Sequence, residues 1–217
     1  MKRHFSYSRA GQGHTATLRI GATMGVPEVL RQLDVDPAQV LSEVGLDLAL
    51  FDDPNNRISY LARGRMMAHC AERAGCPHFG LLVGQKAGLL SFGIVGLLAK
   101  YSPNVGLALG SLMRYMYLHV RGAKTTLSVD SDQAVLEYQI YQPNALGNEQ
   151  VGEGAVAVAF NIVRDLCGDD WKPAEVRFAH RKPADVKPYR QFFQAPLRFD
   201  AAQYAVVFST GWLNQRL

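Results

Sequence analysis

Apolar residues recur every three or four positions through the first half of the chain, and every second position past residue 122. The first spacing predicts helices and the second predicts strands. Residues 1–18 show neither; they are rich in Ser, Gly and Thr and are expected to form a flexible tail. Pro27 suits the first turn of a helix in "VPEVLRQL". Asp36 and Pro37 supply a cap and a first residue for "PAQVLSEV", which Gly45 is placed to end. Ser59 can cap "YLARGRMMAHCAERA", which stops at Gly75 with Pro77 beyond. An apolar, glycine-rich stretch, "FGLLVGQKAGLLSFGIVGLLAKYS", follows. Asn104 then caps "VGLALGSLMRYMYLHV", with Val105, Ala108, Leu112, Met116 and His119 along one face.

The period changes in "AKTTLSVDSDQAVLEYQIYQ". Thr125, Leu127 and Val129 share one face, the "DSD" turn intervenes, and Leu136, Tyr138 and Ile140 share the other strand's buried face. A helix follows with Val151, Ala155, Val158, Ile162 and Leu166 on one side, ended by Gly168. "AEVRFAH" reads as a strand, "VKPYRQFFQ" as a short helix, and "LRFD" with "QYAVVFS" as one or two further strands. The expected class is α+β: a helical N-terminal half, then a small, mostly antiparallel sheet in β-β-α-β-α-β order. With no repeat and no composition break, residues 19–217 are expected to form one regulatory unit after the 1–18 tail.

Composition and charge narrow the function. Hydrophobic residues make up 48% of the 217, ample for a core. The longest apolar run, Ala87–Ala99, is too short for a membrane span, which needs about 20 residues. The N-terminus is basic but lacks the apolar stretch of a secretory signal, and the cysteine count is odd. A cytoplasmic protein without structural disulfides is expected. Net charge is +4, yet segment 20–171 carries sixteen acidic against eleven basic residues. Segment 172–198 carries seven basic residues against two acidic and interleaves them with aromatics. That pattern suits a nucleic-acid surface, but it also suits a solvated strand, loop and helix start. A neutral body without a reading motif favours the second.

Candidate chemistry is sparse. His69, Cys70, Cys76 and His78 have metal-ligand side chains, but adjacent helical residues diverge by about 100°, which is poor for chelating one ion. A buried thiol at a helix end is expected there, and packing for Cys167. Neither metal nor cofactor is expected, and no nucleophile elbow, HExxH or phosphate loop is present. Gly106 and Gly110 form a GxxxG suited to close helix packing. The best ligand-binding candidates are Tyr115, His119 and Arg121 near the end of the long helix, and Tyr138 on the facing hairpin. There an apolar wall would carry a few polar tips, with Arg121 at the rim favouring an acidic ligand.

The segment "WKPAEVRFAHRKPADVKPYRQFFQAPLRFDAAQYAVVFSTGWL" resembles the effector-sensing, arabinose-binding-like domain of AraC-type transcription regulators, in the branch that includes ornithine-utilisation regulators. The shared pattern falls on Pro173, Phe178, His180, Pro183, Tyr189, Phe192, Phe193, Pro196 and Phe199. "LSEVGLDLALFDDPNNRIS", "HFGLLVGQ" and "FGIVGLLAKYSPNVGLALGSLMRYMYLH" extend the resemblance over residues 26–215. It implies a non-catalytic domain that binds a small-molecule effector and self-associates as a homodimer. His180 would bond the loop at Pro183. DNA would be contacted only by a helix-turn-helix domain that lies beyond "WLNQRL" in such regulators. A stand-alone enzyme or cofactor-binding sensor using His119 or His180 is the alternative.

Overall fold

A computed structural model describes residues 17–116, 119, 122–141 and 145–217 in full, and the backbone of residues 3–6. Two strands fall where a tail is expected from sequence. Strand β1 (Arg3–Ser6) pairs with residues 126–129, and β2 (Thr17–Arg19) pairs with β3 (Arg57–Ser59). In the second pair Leu18 sits opposite Ile58 and both are buried. The 1–18 boundary therefore cuts through a strand. One apolar residue among polar ones gives no period to read, whereas an open strand edge needs only backbone to pair.

The helices begin at the expected caps. Helix α1 is Val26–Gln32, with Pro27 in its first turn, and the Asp36 carboxylate accepts the Ala38 N–H at 3.0 Å to start α2 (Pro37–Glu43). Ser59 accepts the Ala62 N–H at 3.1 Å for α3 (Tyr60–Arg73). Gly45 and Gly75 follow α2 and α3 at positive φ (75° and 55°), where a Cβ would be strained. The glycine-rich stretch forms α4 (Phe79–Gln85) and α5 (Ile94–Lys100). Asn104 accepts the Leu107 N–H at 2.9 Å for α6 (Val105–Tyr115), which ends four residues before His119.

Hairpin β4 (Ala123–Val129) and β5 (Gln133–Ile140) sets Leu127 opposite Leu136 and Thr125 opposite Tyr138. Helix α7 (Asn148–Cys167) crosses the sheet. Strand β6 (Glu175–Arg177), α8 (Lys187–Phe193), the two-residue β7 (Leu197–Arg198) and β8 (Tyr204–Ser209) complete it. The order is β1-β4-β5-β8-β6-β7, antiparallel except for β6–β7. This is the expected α+β order, with β7 as the extra short strand.

Close helix packing is made by Gly80 and Gly84 of α4 against α7. A Cβ on Gly80 would lie 2.0 Å from the Gln150 carbonyl oxygen, and one on Gly84 2.5 Å from that of Gly154. The Gly106/Gly110 pair does not do this: Gly106 meets Leu213, and nothing lies within 4 Å of a Cβ on Gly110. The basic–aromatic segment 176–193 turns its rings inward. Phe178 stacks on Phe199 at 4.9 Å and meets Tyr189 edge-on at 5.4 Å, with Phe178, Tyr189 and Phe193 fully buried. Rings so placed cannot stack on bases, while Arg181, Lys182, Lys187 and Arg190 face solvent.

Candidate functional site

A cavity lies between α7, the β4–β5 hairpin, α3, the end of α6 and the segment after β2. The centre of a water-sized sphere can occupy about 90 Å³ within it, room for a small organic molecule rather than one water. The face of α7 read from the sequence forms one wall: Val151, Ala155, Val158 and Ile162 all line it. Met113 and Met116 close the helical end, Leu136 the sheet side and Phe92 the rim of α5's approach.

Two of the sequence candidates meet here. Tyr138 and His119 both line the cavity, and both are buried. His119 reaches it from the turn after α6, where its N–H donates to the Met116 carbonyl at 2.9 Å, and not from the helix itself. Tyr115 does not line the cavity; it is 37% exposed on the outer side of α6. The four-residue error in the helix end explains this, because the extended helix would have put Tyr115 and His119 on one side. Arg121 lies outside the described residues.

Sequence reading missed two arginines. Arg63 on α3 is only 6% exposed and lines the cavity. Its Nη2 donates to the Tyr138 hydroxyl at 3.3 Å, its guanidinium lies 5.2 Å from the centre of the Tyr60 ring, and its Nε–H is buried without a partner. Among the described residues it makes no ion pair. Arg19 also lines the cavity; its Nη1 donates to His119 Nδ1 at 3.1 Å, its Nη2 donates to Asn55 Oδ1, and its Nε is buried and unpartnered. An arginine can only donate, so His119 Nδ1 accepts and its proton sits on Nε2. Burial, and then Arg19, pushes the His119 pKa down to about 4, so the ring is neutral near pH 7. Phe92 holds it edge-on at 5.3 Å. A sequence signal for Arg63 exists: it shares the apolar stripe of α3 with Tyr60 and Met67.

Two further polar side chains in the lining have partners within the domain. Glu137 Oε2 accepts the Thr126 hydroxyl at 3.1 Å. Gln150 lines the cavity, yet its Oε1 accepts the Gly80 N–H at 2.6 Å and its Nε2 donates to the Pro77 carbonyl at 2.7 Å. The Cys70 and Cys167 thiols are buried and pushed up to about 12 by burial, so neither presents a thiolate. His69 turns outward onto Glu43 at 2.7 Å, away from Cys70.

A second polar cluster lies elsewhere on α7. Glu153 is 2% exposed; its Oε1 accepts the Tyr189 hydroxyl at 2.5 Å and lies 3.2 Å from His180 Nε2. His180 Nδ1 donates to the carbonyl of the adjacent Arg181 at 2.8 Å, rather than to the loop at Pro183 expected for it. Burial works against the imidazolium, but Glu153 and the Arg181 carbonyl outweigh it and raise the His180 pKa.

A helical layer against a mixed sheet, with a largely apolar cavity holding a few polar tips, is an α+β domain with the concave, mostly apolar kind of pocket that takes small molecules. Residues 35–217 match the arabinose-binding, N-terminal domain of AraC transcription regulators, and the chain belongs to that family. It is 27% identical over 172 residues to the ornithine utilization regulator of Pseudomonas aeruginosa, covering 79% of this chain and 49% of that protein. Its fold is similar to that of the transcriptional regulator CdpR from Pseudomonas aeruginosa, with a TM-score of 0.65, 15% identity, and coverage of 96% of this chain and 59% of that one. The chain thus spans about half the length of the curated relative it matches. The family and these relatives are transcription regulators, not enzymes. Among the described residues no helix is long and apolar enough to cross a membrane.

Proposed function

We propose that this chain is the sensing domain of a transcription regulator and that the cavity under α7 is its effector site. The observation that carries this reading is the largely apolar cavity lined by His119, Tyr138 and Arg63, in a domain of an effector-binding family. The domain performs no chemistry in this reading; occupancy biases two states of a longer regulator through the effector's differential affinity for them. The cavity is well placed for that. Helices α6 and α7 both line it, and both also hold the segment after β8. There the Val105 N–H donates to the Gln215 carbonyl at 3.0 Å, and the Gln215 side chain donates to the Cys167 carbonyl at 2.8 Å. DNA contact belongs to a second domain in regulators of this kind, which fits the burial of the aromatics in segment 176–193.

The test is a thermal-shift screen of small organic metabolites, repeated on Ala159→Phe. Ala159 lines the cavity from α7. The phenyl ring is expected to fill the void, keep the fold and abolish ligand-induced stabilisation. Ligands that stabilise A159F as well as the wild type would place the effector site elsewhere.

A further inference from the structure

Arg63 poses a physical problem that the empty domain does not solve. A guanidinium 94% removed from solvent costs several kcal/mol unless an anion or a full set of acceptors offsets it. Here it has the Tyr138 hydroxyl, the Tyr60 hydroxyl and ring, no carboxylate, and an Nε–H with no acceptor. Neither nearby carboxylate pairs with it: Glu43 pairs with His69 and Arg73 on the outer surface, and Glu137, which also lines the cavity, accepts from the Thr126 hydroxyl at 3.1 Å. Arg19 brings a second guanidinium with a buried, unpartnered Nε to the same cavity. His119 is held neutral with its Nε2–H free of Arg19, a further donor and not a competing charge. The unpartnered groups on Arg63, Arg19 and His119 are thus donors, and much of the wall around them is apolar: Met67, Met113, Met116, Leu136, Val158 and Ile162.

We propose, building on the reading of this cavity as the effector site, that its ligand is a small organic acid. Its carboxylate lies on Arg63, within reach of the Arg19 and His119 donors, and its hydrocarbon body fills the space along α7. A carboxylate accepts two N–H bonds from one guanidinium and gains strength from the charge, which an amide or an alcohol cannot match. Arg63 is then a specificity-determining residue: it stays unpaired because the ligand supplies its counter-ion.

The experiment compares matched pairs, octanoate with octanamide and phenylacetate with phenylacetamide, by calorimetry on the wild type, Arg63→Met and Arg63→Lys. The wild type is expected to prefer at least one acid to its amide by tenfold or more. R63M is expected to lose that preference while still admitting the amide, and R63K to keep part of it. The empty protein supplies a second readout. Removing an unpaired buried charge leaves the melting temperature unchanged or raises it, whereas removing a structural arginine lowers it. A fall of more than about 4 °C in empty R63M would overturn the proposal. So would an acid-to-amide ratio that survives in R63M. If neutral compounds bind and are blocked by A159F while no acid binds, the carboxylate inference falls and the effector site stands. If nothing that binds is sensitive to A159F, both fall.

Discussion

Glu153→Gln isolates the buried charge on α7 from its packing. The substitution is nearly isosteric and keeps an oxygen that can accept the Tyr189 hydroxyl, so only the interaction with protonated His180 is lost. Hydrogen bonds to charged groups contribute about 1.5–3 kcal/mol, and breaking a buried pair outright costs about 3–5. With Tyr189 still satisfied the lower range applies, about 2 kcal/mol, or roughly 4–8 °C in a chain of this size. The pH dependence is the sharper signature. His180 has its pKa raised in the fold, so its contribution is fully present below the ordinary histidine value of about 6.5 and is lost as pH rises through the folded value. Above that, the wild type buries a carboxylate against a neutral imidazole, and E153Q removes the burden. Urea unfolding followed by fluorescence of Trp171, itself buried against Phe160, reads both. The variant should be less stable by about 2 kcal/mol near pH 6 and close to the wild type near pH 8.5. Equal destabilisation at the two pH values would refute the ion pair and leave Glu153 as a hydrogen-bond acceptor alone.

Acid should destabilise the domain through His119. Its pKa falls to about 4 in the fold, so between about pH 6.5 and 4 the unfolded chain binds the extra proton and stability drops as pH falls, by up to about 3 kcal/mol. His119→Gln should flatten that limb of the stability curve, and an unchanged limb would sink the assignment. Gly80→Ala should cost more than about 3 kcal/mol or prevent folding, since its Cβ would sit 2.0 Å from the backbone of α7. Gly110→Ala, with open space, should be neutral or stabilising by up to about 1 kcal/mol; similar chemical-denaturation midpoints for the two variants would contradict the α4–α7 contact.

The elements legible in the sequence are those whose local chemistry and burial agree. Asp36, Ser59 and Asn104 are capping residues ahead of apolar periods, and each accepts a backbone N–H in the fold. The α7 face was readable because its apolar residues serve both the core and the cavity. The end of α6 was not. Apolar residues continue past Tyr115 at helical spacing, so periodicity alone carries the helix on to His119, and Tyr115 is drawn into a site it does not reach. Strand β2 was illegible for a different reason. Its one buried residue, Leu18, is placed by pairing with Ile58, a contact forty residues away.

The charged residues that matter most were hidden by the rule that makes pattern reading work. A charged side chain on an amphipathic helix is assigned to solvent, so Arg63 reads as one more surface arginine, and Arg19, next to the expected tail, carries no apolar period to mark it as buried. Yet Arg63 sits three residues from Tyr60 and four from Met67, inside the apolar stripe, and Glu153 interrupts an α7 run that is otherwise almost wholly apolar. Each is a local contradiction between residue and position. The two contradictions have different resolutions. Glu153 finds Tyr189 and His180 within the domain, which fits a device for fixing α8 and the following loop onto α7. Arg63 finds two tyrosines but no counter-ion among the described residues, and it lines the cavity. A fold can carry such an unmet charge only at a cost to its own stability, and that cost is withdrawn when an anion enters. The residue that weakens the empty domain is thus the one that makes its stability depend on the ligand, which is the property a sensor requires.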